Sequence, residues 1–424
     1  MLKKTKIKAT FLGSAIFYLV IGSLILAGSS IAAEKAPSKI KVGLMFGITG
    51  PASPIGPVQL DGAKIAVKEI NESGGINIGG KKVPLEAVIR DDETKVDVAI
   101  RRYRELVNDQ KIDFLVGTTS SAIDEALNEE VKRLPRIYFP VDMASYNLFP
   151  KNNMAETTFC IHGNDYSIGY ADAAYIINVM GHKNILFFGP AYAFGRNQLK
   201  GAQDAAKKYG ASIEVMESPF GTSDYTSYLL KIMEMKPDIV MMAHWGTDAI
   251  NVLKQSYEIN LREKTKIFFN WMTQVFGMGV PPEAIEGVYS MMSWYWNMEG
   301  FEDPDTIKRS KNFTDLFVKE YNYPPDPYAA AAYMGVKETV RAVEVAQSTD
   351  PHAMARAIMN NPDFDSIRGP ATWRVDHVPV YNYGAFIVIG KGKQERKHEK
   401  WDIVKVVGAY KGKDYLPSLA SEGY

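Results

Sequence analysis

The side chains able to do chemistry are few in this 424-residue chain and poorly spaced for it. Cys160 is the only cysteine, and one thiol cannot form an internal disulfide; a small buried residue is the expectation. His162, His182, His244, His352, His377 and His398 never fall at the i, i+2 or i, i+4 spacing of a strand or helical ligand pair, so no metal site is expected. Neither a G-x-S-x-G nucleophile turn nor a G-x-x-x-x-G-K-[ST] phosphate loop occurs. Gly43, Gly47 and Gly50 are out of G-x-G-x-x-G register, and Pro51 and Pro57 crowd that loop, so no nucleotide or other cofactor is expected. Asp91-Asp92-Glu93 could pair carboxylates for acid–base work. No nucleophile or oxyanion stabiliser lies near them, and a solvated strand-end cluster is the expectation. An enzyme is therefore set aside.

What remains is suited to holding a ligand. Thr118, Thr119, Ser120 and Ser121 bring hydroxyls and backbone N–H groups to a helix N-terminus, a cradle for a carboxylate or carbonyl oxygen. The same serines can cap that helix, and the two roles are compatible. Tyr192, Phe194, Trp245 and Trp271 stand in loops at strand ends, with His244 beside Trp245. Aromatic side chains in such loops are wasteful unless they cover something apolar, so together they predict an aromatic-lined cleft.

The elements that must position these residues follow one pattern. The apolar run 42–46 predicts a strand, and 65–70 carries the apolar face of a helix that stops at Ser73-Gly74-Gly75. Strand and helix then alternate: strands at 83–90, 112–116 and 136–141, helices at 96–109 and up to 133. A second series of the same kind runs from about 157 to 273, followed by a strand at 287–296 and helices at 305–321, 328–347 and 352–360. Strands at 369–373 and 383–389, with another at 401–407, close the pattern, and the polar residues beyond 408 are expected as a surface segment. This is an α/β chain of two parallel-sheet lobes.

Composition narrows the setting. Lysine plus arginine and aspartate plus glutamate both number 49, so no basic excess invites nucleic acid. Lys3, Lys4, Lys6 and Lys8, the apolar run 11–27 and the small residues Ser30-Ile31-Ala32-Ala33 read as a cleaved secretory signal over residues 1–33. No cysteine follows that run to accept a lipid anchor, so the expected location is periplasmic.

The segments IKVGLMFGITGP (40–51), DGAKIAVKEINESGGI (61–76), RDDETK (90–95) and FLVGTTSS (114–121) are distinctive in order and spacing, and AFGR (193–196), KPDIV (236–240) and GPATW (369–373) follow. In these the chain resembles the periplasmic substrate-binding proteins of branched-chain amino acid type ABC transporters, over residues 40–390. The resemblance implies the type I periplasmic binding fold, two Rossmann-like lobes with parallel sheets joined by three crossovers. The first lobe would be 38–159 plus 289–373 and the second 160–288 plus 374–408, with a tail at 409–424. It further implies a monomer that closes on a small-molecule ligand by hinge motion and delivers it to an ABC permease in the membrane. The same lobe pair could instead report to a chemoreceptor or sensor kinase.

The ligand anchors carry over only in part. Ser121 matches the serine that holds the ligand carboxylate. Val141 and Met143 stand where relatives have a small residue and a carboxylate-binding threonine, with Asp142 between them. Met272 stands where an acid binds the α-ammonium. Trp245 and Phe194 match covering aromatics, Asp165 matches an acid near a crossover, and Ile55 replaces a ligand-covering tyrosine. Thr94 and Ser120 occupy positions that bridge as cysteines in some members. The implied ligand is amino-acid-like, or a carboxylate or amide with an apolar or aromatic body. The loss of the anchoring acid favours the second, since an ammonium buried without an anion costs several kcal/mol.

Overall fold

The computed structural model describes residues 37–398 and 400–424. The expected signal segment, residues 1–33, lies outside the described residues. No helix among the described residues is long and apolar enough to cross a membrane.

The first lobe is built on β1 (Ile40–Phe46), which feeds α1 (Gly56–Glu72) through the Gly/Pro loop. A hairpin of β2 (Ile76–Ile78) and β3 (Lys81–Val83) precedes β4 (Leu85–Asp91). Its strands are too short for a period-two run, so periodicity does not reveal it. Then come α2 (Val96–Asn108), β5 (Phe114–Gly117), α3 (Ser121–Arg133) and β6 (Ile137–Phe139). The sheet order is β4-β1-β5-β6, all parallel, with Val42 opposite both Ala87 and Phe114. β1 and β5 are buried along nearly their whole length because helices cover both faces of the sheet, which is why they read as continuous apolar runs.

The second lobe starts with α4 (Asp165–Asn178), β7 (Asn184–Pro190), α5 (Ala193–Tyr209) and β8 (Ser212–Ser218). It continues with α6 (Thr226–Met235), β9 (Ile239–Met242), α7 (Gly246–Glu258), β10 (Lys266–Phe269) and β11 (Tyr289–Met292). The chain then returns to the first lobe with α8 (Pro304–Tyr321), α9 (Pro327–Ala346) and α10 (Pro351–Asn360). Gly62 of α1 lies so close to α9 that an added Cβ would come 2.0 Å from the Ala329 carbonyl oxygen. A small antiparallel sheet, β12 (Asp363–Ser366), β13 (Gly369–Trp373) and β14 (Pro379–Tyr381), leads to β15 (Tyr383–Gly390) and β16 (Val404–Lys411). The second main sheet has the order β16-β15-β11-β10-β9-β7-β8, parallel except for β11–β15 and β15–β16.

Two boundaries differ from expectation. The resemblance puts residues 289–292 in the first lobe, but β11 pairs with β10 and with β15 inside the second sheet, Ser290 opposite Val388. The return to the first lobe therefore begins after Met292. The tail is also not a surface appendage. β16 extends to Lys411, and Tyr415 and Glu422 are buried.

The crossovers are stitched together where the lobes meet. Cys160 N–H donates to the His377 carbonyl at 3.0 Å, and Tyr381 Oη donates to the Ile161 carbonyl at 2.7 Å. Arg368, almost fully buried, donates to the carbonyls of His162 at 3.3 Å and Gly384 at 2.6 Å while lying 3.7 Å above the Tyr381 ring. Carbonyls and a ring face answer the terminal nitrogens of a guanidinium that cannot shed its charge, while its Nε is left without a partner. Cys160 is buried and free, its thiol pushed up to about 12 by burial.

Candidate functional site

The strand-end loops of the two sheets face one another and touch. Gly246, at the start of α7, has φ +60, and an added Cβ would come 2.5 Å from the carbonyl oxygen of Pro51 in the opening Gly/Pro loop. That loop is held by Asp91, whose Oδ1 accepts from Ile48 N at 3.0 Å and whose Oδ2 accepts from Thr49 Oγ1 at 2.7 Å. Asp92 is buried and its Oδ1 accepts from Thr94 N at 2.8 Å. The expected solvated cluster is thus a brace for the cleft wall: strand-end carboxylates meet the loop's free N–H groups instead of water. Thr94, one of the two positions that bridge as cysteines in some members, links Ala52 N and the Thr49 carbonyl.

A latch joins the lobes at the start of α3. Ser120 occupies the N-cap position without capping through its side chain. Its hydroxyl shares a 2.6 Å hydrogen bond with Tyr192 Oη from the second lobe, and Tyr192 Oη also accepts from Ala122 N at 3.2 Å. The cap is supplied from the opposite lobe, so it depends on the two lobes being in contact here. Thr119 is likewise engaged inside the first lobe, donating to Gln59 Oε1 at 2.6 Å and accepting from Gly47 N at 3.1 Å.

Ile55, Met143, Phe194, Trp245, Trp271 and Met272 lie in one buried apolar cluster that spans both lobes, with Tyr192 packed against it. Phe194 meets Trp245 edge-on at 6.3 Å, and Tyr192 and Phe220 stack 4.9 Å apart beside Trp245. Trp271 adopts φ +61, a left-handed conformation that costs a non-glycine residue about 1–2 kcal/mol and persists where the surroundings over-determine it. Its ring stands 5.8 Å from His162 at a steep angle. Within this apolar setting Trp245 Nε1 is buried without a protein hydrogen-bond partner, and Ser121 Oγ, His162 Nε2 and Trp271 Nε1 reach only one neighbour each, Asp165, the Pro327 backbone and Tyr328, without well-formed hydrogen bonds. Most buried polar atoms are well paired, so this cluster of poorly paired ones among aromatic side chains is the candidate site.

Asp142 sits in an unusual electrostatic position. Its carboxyl pairs with that of Asp124, which two carboxyls can do only by sharing a proton. Asp124 accepts from Thr118 Oγ1, from Tyr138 Oη at 2.8 Å and from Ser145 N at 3.4 Å, and it is therefore the member that carries charge. Burial, reinforced by Asp124 and Asp165, holds the Asp142 carboxyl well above the usual range, while burial raises Asp124 to about 6. His162 Nδ1 pairs with Ser293 Oγ at 2.6 Å, and burial keeps the ring far below its ordinary basicity.

Three sequence-nominated residues turn elsewhere. His244 points into the second lobe, its ring 4.6 Å from Phe188 and 5.1 Å from Tyr225, with Nε2 3.3 Å from Ser218 Oγ. Burial holds it at about 3, a neutral packed histidine. Val141 packs on Gly335 of α9 in the first lobe. Asp165 is a brace: its oxygens accept from Tyr146 N at 2.8 Å, Tyr166 N at 2.9 Å and Asn197 Nδ2 at 3.0 Å. Conversely, Tyr328 at the start of α9 and His162 join the cluster region unannounced by the sequence. Both come from segments that reach the cleft only through the crossovers. A His next to the boundary between the two α/β series was the only available signal.

Residues 39–393 match the family model described as periplasmic binding protein. The chain belongs to this family. A Leu/Ile/Val-binding protein homolog 8 from Brucella suis is 25% identical over 385 residues, covering 83% of this chain and 88% of the relative. Among solved structures, a periplasmic binding protein from Burkholderia mallei covers 90% of this chain and 97% of its own, with a TM-score of 0.80 at 24% identity. A solute-binding protein from R. palustris in complex with benzoate covers 88% of this chain and 97% of its own, with a TM-score of 0.74 at 20% identity. These likenesses place the binding protein in the type I periplasmic binding fold.

Proposed function

We propose that this binding protein is the extracytoplasmic solute-binding component of an ABC uptake transporter, exported to the periplasm and working as a monomer. It captures a small carboxylate or amide with an apolar or aromatic body, closes on it by hinge motion and presents it to a membrane permease. The observation that carries the ligand reading is Met272, fully buried beside Trp271 where an ammonium-binding acid would be needed. An α-ammonium beside Met272 would meet a thioether in place of an acid, and the charge of the Asp124–Asp142 pair is already answered by Thr118, Tyr138 and Ser145, so the ammonium would lose several kcal/mol. Ser121 at the N-terminus of α3 offers a donor to the oxygen-bearing end, and the indole N–H groups of Trp245 and Trp271 are donors only, matched to a guest with acceptors. The benzoate complex of the R. palustris relative supports an aromatic acid as a guest compatible with this fold.

Calorimetric titration against leucine, valine, benzoate, hydroxylated benzoates and short aliphatic acids and amides tests the reading. Binding within the acid or amide set, with none for leucine or valine, is the expected result. Micromolar binding of leucine or valine overturns it.

A further inference from the structure

Residues 412–424 leave the second sheet after β16 and run back across the hinge to the first lobe. Tyr415 is 1% exposed, its ring filling the space left by two glycines on either side. An added Cβ on Gly384 would come 1.9 Å from that ring, and one on Gly163, in the first crossover, 3.2 Å from its hydroxyl. Tyr415 Oη donates to the His162 carbonyl at 3.4 Å. Arg374, in the last crossover, then grips the segment twice, donating to the Pro417 carbonyl at 3.0 Å and to Glu422 Oε2 at 3.1 Å. The same guanidinium pairs with Asp376. Finally the segment reaches the first-lobe loop: Lys151 N donates to the Glu422 carbonyl at 2.9 Å, and Tyr424 Oη donates to the Phe149 carbonyl at 2.9 Å.

A polar segment with no mechanical duty would lie in solvent. This one buries a tyrosine and a glutamate at the crossovers about which the lobes must turn, and joins the second sheet to the first lobe. We infer that residues 412–424 are a strap that positions the lobes in the closed arrangement, with Tyr415 and Glu422 as its anchors. The inference rests on the hinge closure proposed above. Opening separates the 149–151 loop from Glu422 and Tyr424 and withdraws Tyr415 from its seat, so the strap favours closure and raises the fraction of chains competent to hold ligand.

Electron–electron distance measurement on the ligand-free full chain tests this without knowledge of the ligand. Spin labels are placed at Lys64→Cys on α1 and Lys231→Cys on α6, both exposed. Cys160 is buried and its thiol stays unreactive, so it takes no label. Deletion of 412–424 and Tyr415→Ala are both expected to move the main inter-lobe distance outward by several ångströms and broaden it. Tyr415→Phe keeps the ring and is expected to retain the parent distribution. Val252→Ala, in the second-lobe core away from the strap, lowers stability without widening the distance. Ser120→Arg wedges the latch with Tyr192 and reports whether the lobes hinge at all. If Ser120→Arg widens the distance while Tyr415→Ala and the deletion leave it unchanged, the strap is refuted and hinge closure stands. If Ser120→Arg also changes nothing, hinge closure fails and the strap falls with it.

Discussion

Replacing Asp142 by Asn tests the shared proton at the floor of the cleft. In the parent, the Asp124–Asp142 pair must hold a proton in the folded state, because two buried carboxylates facing each other without a cation cannot both ionise. The amide of the variant would donate permanently to the Asp124 carboxylate, which already accepts from Thr118, Tyr138 and Ser145, and the need for the proton would vanish. The sign follows from linkage. A carboxyl whose folded value lies above its unfolded one binds more protons folded than unfolded, so stability is highest at low pH and falls as pH rises through that window. Asp124 carries the charge and is common to both proteins, so its own shift cancels; the proton that the substitution removes is held by Asp142, whose carboxyl lies well above 3.8 in the fold. While that proton stays bound, each pH unit above the free carboxyl range costs the parent about 1.4 kcal/mol that the variant does not lose. Urea denaturation of parent and Asp142→Asn at intervals from pH 4.5 to 7.5 measures it. The variant is expected to gain stability relative to the parent as pH rises, by up to about 1.4 kcal/mol per pH unit. Parallel stability–pH curves would refute the pairing, because every other buried carboxyl is common to both proteins and cancels.

Two substitutions probe closure itself. Gly246→Ala adds a Cβ 2.5 Å from the Pro51 carbonyl, a clash that exists only when these loops meet, on top of about 1–2 kcal/mol of strain at a φ of +60 that the second lobe bears in either arrangement. Small-angle scattering should report a larger radius of gyration than the parent's, and an unchanged radius would mean that the close approach of these loops is unimportant. Tyr192→Phe removes the hydroxyl shared by Ser120 and Ala122 across the cleft, worth about 1 kcal/mol or a roughly fivefold drop in the closed-to-open ratio. The spin-label pair described above should show that shift. A distribution identical to the parent's would demote the latch to an incidental contact.

The architecture was legible from the chain because its cause is local and repeated. Helices cover both faces of each parallel sheet, so β1, β5, β9 and β10 read as short apolar runs, and the amphipathic helices between them carry their own stop signals. The Gly/Pro loop, the hydroxyl run 118–121 and the aromatic loops were visible as residue types at strand ends, where ligands bind in such folds. What those side chains face was not visible. Ser120 and Ser121 are adjacent and alike in chemistry, yet one is bonded to Tyr192 of the opposite lobe and the other turns toward Asp165 without a well-formed hydrogen bond. His244 and Trp245 are neighbours too, but one is packed within the second lobe while the other joins the cluster spanning both. Such choices depend on partners far along the chain, as Ser120 and Tyr192 are, 72 residues apart, and on the rotation of one lobe against the other. The tail carries the same lesson. Polar composition suggested solvent exposure, whereas two distant glycines, 163 and 384, make the cavity that Tyr415 fills. Sequence periodicity reports which face of an element is apolar; only the assembled tertiary structure decides which side chains meet across the cleft and which groups remain unpaired there.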